Sequence, residues 1–194
     1  MTTADSRVSE RDGAHIARLI ALFALLFQGW HVFDHWVQVS QRTWFGNPDG
    51  QGLAGAAVDM APAHFLYNLA YWAMLVAIYL GLGFPARRKT YGPLVFWLLT
   101  FAVLWQSWHM VEHIAQMAQY LAAPRGGGFP GILGKPNGPF VGYWLHFTYN
   151  FVAYIPLVIV FFRAGFHRRV GADLRSVRAF LRGSPAVTPP VKQP

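Results

Sequence analysis

Eleven residues, Gln28-Gly29-Trp30-His31-Val32-Phe33-Asp34-His35-Trp36-Val37-Gln38, recur as Gln106-Ser107-Trp108-His109-Met110-Val111-Glu112-His113-Ile114-Ala115-Gln116. The shared pattern is Q-x-W-H-x-x-(D/E)-H-x-x-Q. A second match follows each copy, His64-Phe65-Leu66-Tyr67-Asn68 and His146-Phe147-Thr148-Tyr149-Asn150. The two offsets, 78 and 82 residues, are close enough for one duplicated unit with a small difference in loop length. A repeat of this kind constrains the fold more than any local propensity, because each copy must find an equivalent environment.

Both copies lie inside apolar sequence. Runs at about 16–39, 63–84, 93–121 and 141–162 each reach the roughly 20 residues that cross a bilayer core. Hydrophobic residues make up 54% of the chain and charged residues only 12%, against about 25% charged in soluble domains. Four such runs leave too little polar surface for a soluble protein. The expectation is therefore an all-α, four-transmembrane-helix bundle of two tandem hairpins, with a pseudo-two-fold along the membrane normal. Its segments are an N-terminal tail 1–13, hairpins 14–84 and 85–165, and a basic tail 166–194.

Charge gives the orientation. Arg7, Arg11, Arg18, Arg87, Arg88, Lys89 and the seven basic residues from Arg163 onward fall on one side of the four spans; Arg42, Arg125 and Lys135 fall on the other. The positive-inside rule places both termini in the cytoplasm, in a multi-pass protein of a bacterial plasma membrane. Basic residues that flank spans rather than cover a face argue against a nucleic-acid partner. The lipid bilayer is the expected partner, with a homodimer or a larger membrane complex as further options. The first run continues into the polar motif with no small-residue cleavage site, so it reads as an uncleaved span. In 166–182, Phe166, Val170, Leu174, Val177 and Leu181 recur at helical spacing among arginines, which fits an interfacial amphipathic helix or a solvated basic tail.

There is no cysteine, so any metal must be held by nitrogen and oxygen. Positions i, i+3, i+4 and i+7 share a helix face. Gln28, His31, Asp34, His35 and Gln38 form one polar stripe; Gln106, His109, Glu112, His113 and Gln116 form another. His64 with Asn68, and His146 with Asn150, add i, i+4 pairs at the same depth. Ionisable groups inside a membrane are costly and mark function. His31, Asp34, His35, His64, His109, Glu112, His113 and His146 are the expected ligands for iron, copper or zinc, in one dinuclear or two mononuclear sites. Gln28, Gln106, Asn68 and Asn150 are expected to orient the imidazoles, and Tyr67 and Tyr149 to donate hydrogen bonds or relay electrons. The bland alternative is that these groups only join helices by hydrogen bonds.

His31-x-x-Asp34-His35 and His109-x-x-Glu112-His113 resemble the H-x-x-E-H pattern of inverted zinc peptidases, a resemblance that implies a general-base role for the acid. Ferritin-like di-metal bundles use Glu-x-x-His on two helices and Glu on the others; here the order is reversed and the histidine-rich set more closely resembles the inventory of the di-iron oxygen carrier hemerythrin. The functional expectation is an integral membrane metalloprotein with non-haem redox or oxygen-linked chemistry near the extracytoplasmic face. If it is an enzyme, it is a metal-dependent membrane oxidoreductase. A haem b electron carrier, a metal transporter or sensor, and an accessory subunit are the alternatives.

Overall fold

The computed structural model describes residues 3–55, 60–86, 88–123, 131–133 and 139–182. The loop run Gly126-Gly127-Gly128 and the tail 183–194 lie outside them. Among the described residues there are six helices: α1 (Thr3–Thr43), α2 (Met60–Gly81), α3 (Arg88–Tyr91), α4 (Pro93–Ala122), α5 (Pro139–Arg163) and α6 (Phe166–Leu181). Four of them are long and apolar enough to cross a membrane, over Gly13–Thr43, Ala61–Gly81, Pro93–Ala122 and Gly142–Arg163. The protein is a multi-span helical membrane protein.

Local sequence explains where the helices stop and start. Pro93 opens α4 from the first turn, where its missing N–H breaks no bond, and Pro62 lies in the first turn of α2. Gly83, Gly92 and Gly165 adopt positive φ in the connections, which only glycine does without strain.

The expected bundle of two tandem hairpins is corrected by the packing. Six helices, not four, build the fold, and contacts do not divide into an α1–α2 unit and an α4–α5 unit. α1 packs on α5, and α2 on α4, at least as extensively as α1 packs on α2. The physical reason lies in the buried register. On α1 the buried positions Ala14, Ala17, Ala21, Ala24, Gln28, His31, His35 and Gln38 advance by alternating steps of three and four. Val95, Leu99, Ala102, Gln106, His109 and His113 do the same on α4. Such a heptad seam serves two neighbours at once, so the helices close into a ring, α1–α2–α4–α5, and no hairpin is a packing unit by itself.

The seams stack into layers. One half of the ring is apolar: Ala17, Ala21 and Ala24 of α1 face a cluster that includes Tyr71, Leu75, Ile78, Leu99 and Leu157. Small residues let α1 approach closely; a Cβ on Gly81 of α2 would lie 3.0 Å from the Ala17 Cβ. The other half is polar, with buried Gln28, Gln106, Asn68 and Asn150 followed by the histidines. Outward faces are the reverse, carrying Phe23, Leu26, Trp30 and Phe33 at about half exposure or more. Polar inside and apolar outside is the order that lipid solvent imposes.

α6 buries Phe166 and Val170 in the apolar core, Phe166 against Tyr91 and Phe161, and is tied to α1 through its acid. Asp173 accepts a two-pronged pair of hydrogen bonds from Arg18, at 2.7 and 2.9 Å, and a third from His15 at 2.9 Å. The remaining face of α6 exposes Arg168, Arg169, Leu174, Arg175 and Arg178.

Candidate metal centre

Six histidines meet at the end of the ring formed by the C-terminal halves of α1 and α4 and the N-terminal turns of α2 and α5. They form two groups, His31–His35–His64 and His109–His113–His146, and within each the ligand nitrogens lie within 4.8 Å of one another. His31, His35, His109 and His113 are buried; His64 and His146 are partly buried. Each group takes two histidines one turn apart on a single helix and the third from the helix that follows in the chain.

The two groups adjoin. Ring centroids are 6.0 Å apart for His35–His146, 6.1 Å for His64–His146 and 6.4 Å for His64–His113. Within the groups the i, i+4 pairs are closer, 4.4 Å for His31–His35 and 4.6 Å for His109–His113. A haem macrocycle would have to occupy the space in which these imidazoles meet, so the haem alternative has no geometric support.

Two observations test whether the nitrogens suit a metal ion. In the first group, His31 Nε2 and His35 Nε2 are 3.2 Å apart. Bonds of about 2.0–2.1 Å to one tetrahedral ion would set two nitrogens roughly 3.3 Å apart, so this ring-to-ring hydrogen bond already has a separation compatible with two ligands on one centre. In the second group, Nε2 of His109 and Nε2 of His113 are buried without a hydrogen-bond partner. Buried polar atoms without partners are rare and costly, and a cation would satisfy both. The donor set fits a transition metal.

The surroundings present Nε2 to the centre. His35 Nδ1 donates to Gln38 Oε1 at 3.2 Å, His109 Nδ1 to Gln106 Oε1 at 3.4 Å and His146 Nδ1 to the Gly142 carbonyl at 3.3 Å. A hydrogen bond at Nδ1 fixes the tautomer that leaves the Nε2 lone pair for a metal.

Beneath the imidazoles the amides pair across the two halves of the sequence. Gln28 donates to Asn150 Oδ1 and Gln106 to Asn68 Oδ1, while Asn68 and Asn150 donate to the carbonyls of His64 and His146. Tyr67 stacks on His31 with centroids 4.2 Å apart and donates to the Phe27 carbonyl. Tyr149 stacks on His109 at 4.7 Å and accepts a hydrogen bond from Trp108 Nε1 at 2.8 Å.

Asp34 and Glu112 stand apart from both triads. Asp34 Oδ1 accepts from the backbone N–H of Leu53 at 2.5 Å and of Ala54 at 3.0 Å. Glu112 accepts from Ile132 at 2.7 Å and from Leu133 at 3.0 Å. The acid of each H-x-x-(D/E)-H motif thus holds the loop that follows its helix. Sequence reasoning also missed Gln41 and Gln119. Gln41 Oε1 accepts from Gly52 N, and Gln119 both donates to and accepts from Gly131. The missed signal was present: Gln41 and Gln119 keep the 78-residue offset and extend the repeat by one further helical step.

Comparison of the chain with protein-family models, with curated proteins and with solved structures finds no match. Function is therefore read from the geometry.

Proposed function

We propose that the six histidines hold a pair of transition-metal ions, one in each triad, and that this membrane protein carries out redox chemistry at the pair. The reading is carried by one observation: two adjoining sets of three imidazoles, each with its ligand nitrogens within 4.8 Å. Copper fits the donor set best. Imidazole is a good ligand for it, it heads the affinity order of the divalent first-row ions, and no thiolate competes. Iron would favour carboxylate, and both acids are engaged by loops.

When bound, such a pair supplies one-electron steps at two neighbouring positions, suited to dioxygen or a small oxidisable molecule. The chain's own part is to fix the imidazoles. Gln38, Gln106 and the Gly142 carbonyl hold protons at Nδ1, and the amide layer closes the centre from the apolar half of the ring. The positive-inside distribution of basic residues supports an extracytoplasmic position for the histidine end of the ring.

The test is metal analysis and electron paramagnetic resonance of detergent-purified protein reconstituted with copper. About two equivalents are expected, falling to about one in either His35→Ala or His113→Ala and to none in the double variant. Metal content that is negligible in the unsubstituted protein, or unaffected by these replacements, rejects the reading.

A further inference from the structure

The repeated acids lie one residue before His35 and His113, yet each is turned to a loop. The same device is built twice from different loop sequences, Gly52-Leu53-Ala54 and Gly131-Ile132-Leu133. In both, the carboxylate takes two successive backbone N–H groups. In both, a glycine of positive φ precedes them, φ 80° at Gly52 and 72° at Gly131. A Cβ there would lie 2.8 Å from Asp34 Oδ2 or 2.4 Å from Glu112 Oε2. Only a chain without a side chain at that point can come so close. In both, a glutamine of the preceding helix bonds that glycine's backbone.

Chain connectivity gives the clamp its consequence. The loop held by Asp34 runs into α2, which brings His64 to the histidines of α1. The loop held by Glu112 runs into α5, which brings His146 to the histidines of α4. Each acid therefore sits on the helix that supplies two ligands of a triad and grips the segment that leads to the third.

We infer that Asp34 and Glu112 are positioning residues: each sets the entry of the next helix, and so the place of His64 or His146 in its triad, without itself binding the metal. The inference rests on the reading of the triads as ligand sets. A charged acceptor suits the task, because hydrogen bonds to a carboxylate are stronger than those to a neutral amide. Each clamp acts on its own triad.

The test uses full-length protein in detergent, with Glu112→Gln and Asp34→Asn as near-isosteric replacements and helix content by circular dichroism as the control for folding. In metal-free protein, acylation of histidines by diethylpyrocarbonate, mapped by mass spectrometry, reports where each imidazole stands. Glu112→Gln is expected to raise the reactivity of His146 and leave that of His64 unchanged; Asp34→Asn is expected to do the reverse. In copper-loaded protein, each variant should keep its full copper content at saturation but lose one equivalent to a competing chelator about ten-fold more readily. Unchanged histidine reactivity overturns the inference whatever the copper does. Loss of an equivalent at saturating copper overturns it too, by making the acid a ligand. Unsubstituted protein that takes up no copper, in which the variants still expose His64 or His146 selectively, rejects the metal reading and leaves the positioning role standing.

Discussion

Gln28 on α1 donates its side-chain amide to Asn150 Oδ1 on α5 across 2.8 Å, and neither residue has any exposed surface. The matching glutamine, Gln106 on α4, reaches Asn68 on α2 at 3.0 Å. Each asparagine in turn bonds the carbonyl of a triad histidine four residues earlier in its helix. The first copy of the motif therefore supports a histidine of the second triad, and the second copy supports one of the first.

Removal of either partner leaves a buried amide unsatisfied in a place water does not reach. A double-mutant cycle on Gln28→Ala and Asn150→Ala, followed by reversible unfolding in mixed micelles, should give a coupling of about 0.6–1.7 kcal/mol, the range seen for hydrogen bonds between membrane helices. The pair Gln106→Ala and Asn68→Ala should behave alike. Strict additivity in both cycles would show that these contacts carry no energy of their own.

Close approach of α1 depends on its alanines. Ala21 and Ala24 are fully buried, whereas Phe23 between them is 60% exposed on the outer face. Ala21→Leu should destabilise the protein by about 1–3 kcal/mol through overpacking, and Phe23→Leu should have little effect. Equal stability of the two variants in the same unfolding assay would contradict the assigned register.

Metal removal should loosen the polar half of the ring. A ligand that binds only the folded protein stabilises it by about 2.7 kcal/mol at one hundred times its dissociation constant. Chelation of the reconstituted protein should therefore lower its thermal midpoint. The loss should be reproduced by His35→Ala with His113→Ala, which disables both triads, and not by His167→Ala, since the His167 side chain is exposed and outside both triads. A midpoint indifferent to chelator would separate the triads from any stabilising ion.

The junction of α6 with α1 should depend on pH in a stated direction. Burial pushes the Asp173 carboxyl pKa up, but the hydrogen bond and charge of Arg18, with His15 beside them, pull it further down, to a net value below the usual carboxylate range. A folded pKa below the unfolded one gives stability that is present above the unfolded value, about 3.9, and is lost as pH falls through the folded value. Amide exchange in α6, corrected for its intrinsic rate, should stay protected at neutral and mildly acidic pH and lose protection below about pH 4. Asp173→Asn should remove that dependence and leave α6 less protected throughout. Protection that persists at low pH in the unsubstituted protein would assign the docking to Phe166 and Val170 alone.

The membrane-crossing runs and the polar stripes were legible from residue order alone, because span length and helical periodicity are local properties. The pattern Q-x-W-H-x-x-(D/E)-H-x-x-Q, written at Gln28–Gln38 and again at Gln106–Gln116, likewise put two histidines one turn apart on each of two helices. What the sequence could not show was which helix each stripe faces. Gln28 and Gln106 bond across the two halves, and this crosswise pairing, with the added α3 and α6, is where the two-hairpin expectation failed.

The two acids show the same boundary. Nothing in H-x-x-(D/E)-H distinguishes a carboxylate that binds a metal from one that binds a loop, because the loop offers only backbone N–H groups, and every residue but proline carries one. The chain by itself fixed the kinds of group buried in the membrane and their spacing along each helix. Tertiary structure alone decided that imidazoles converge while carboxylates turn to the loops, since that choice depends on where the chain returns after leaving the helix.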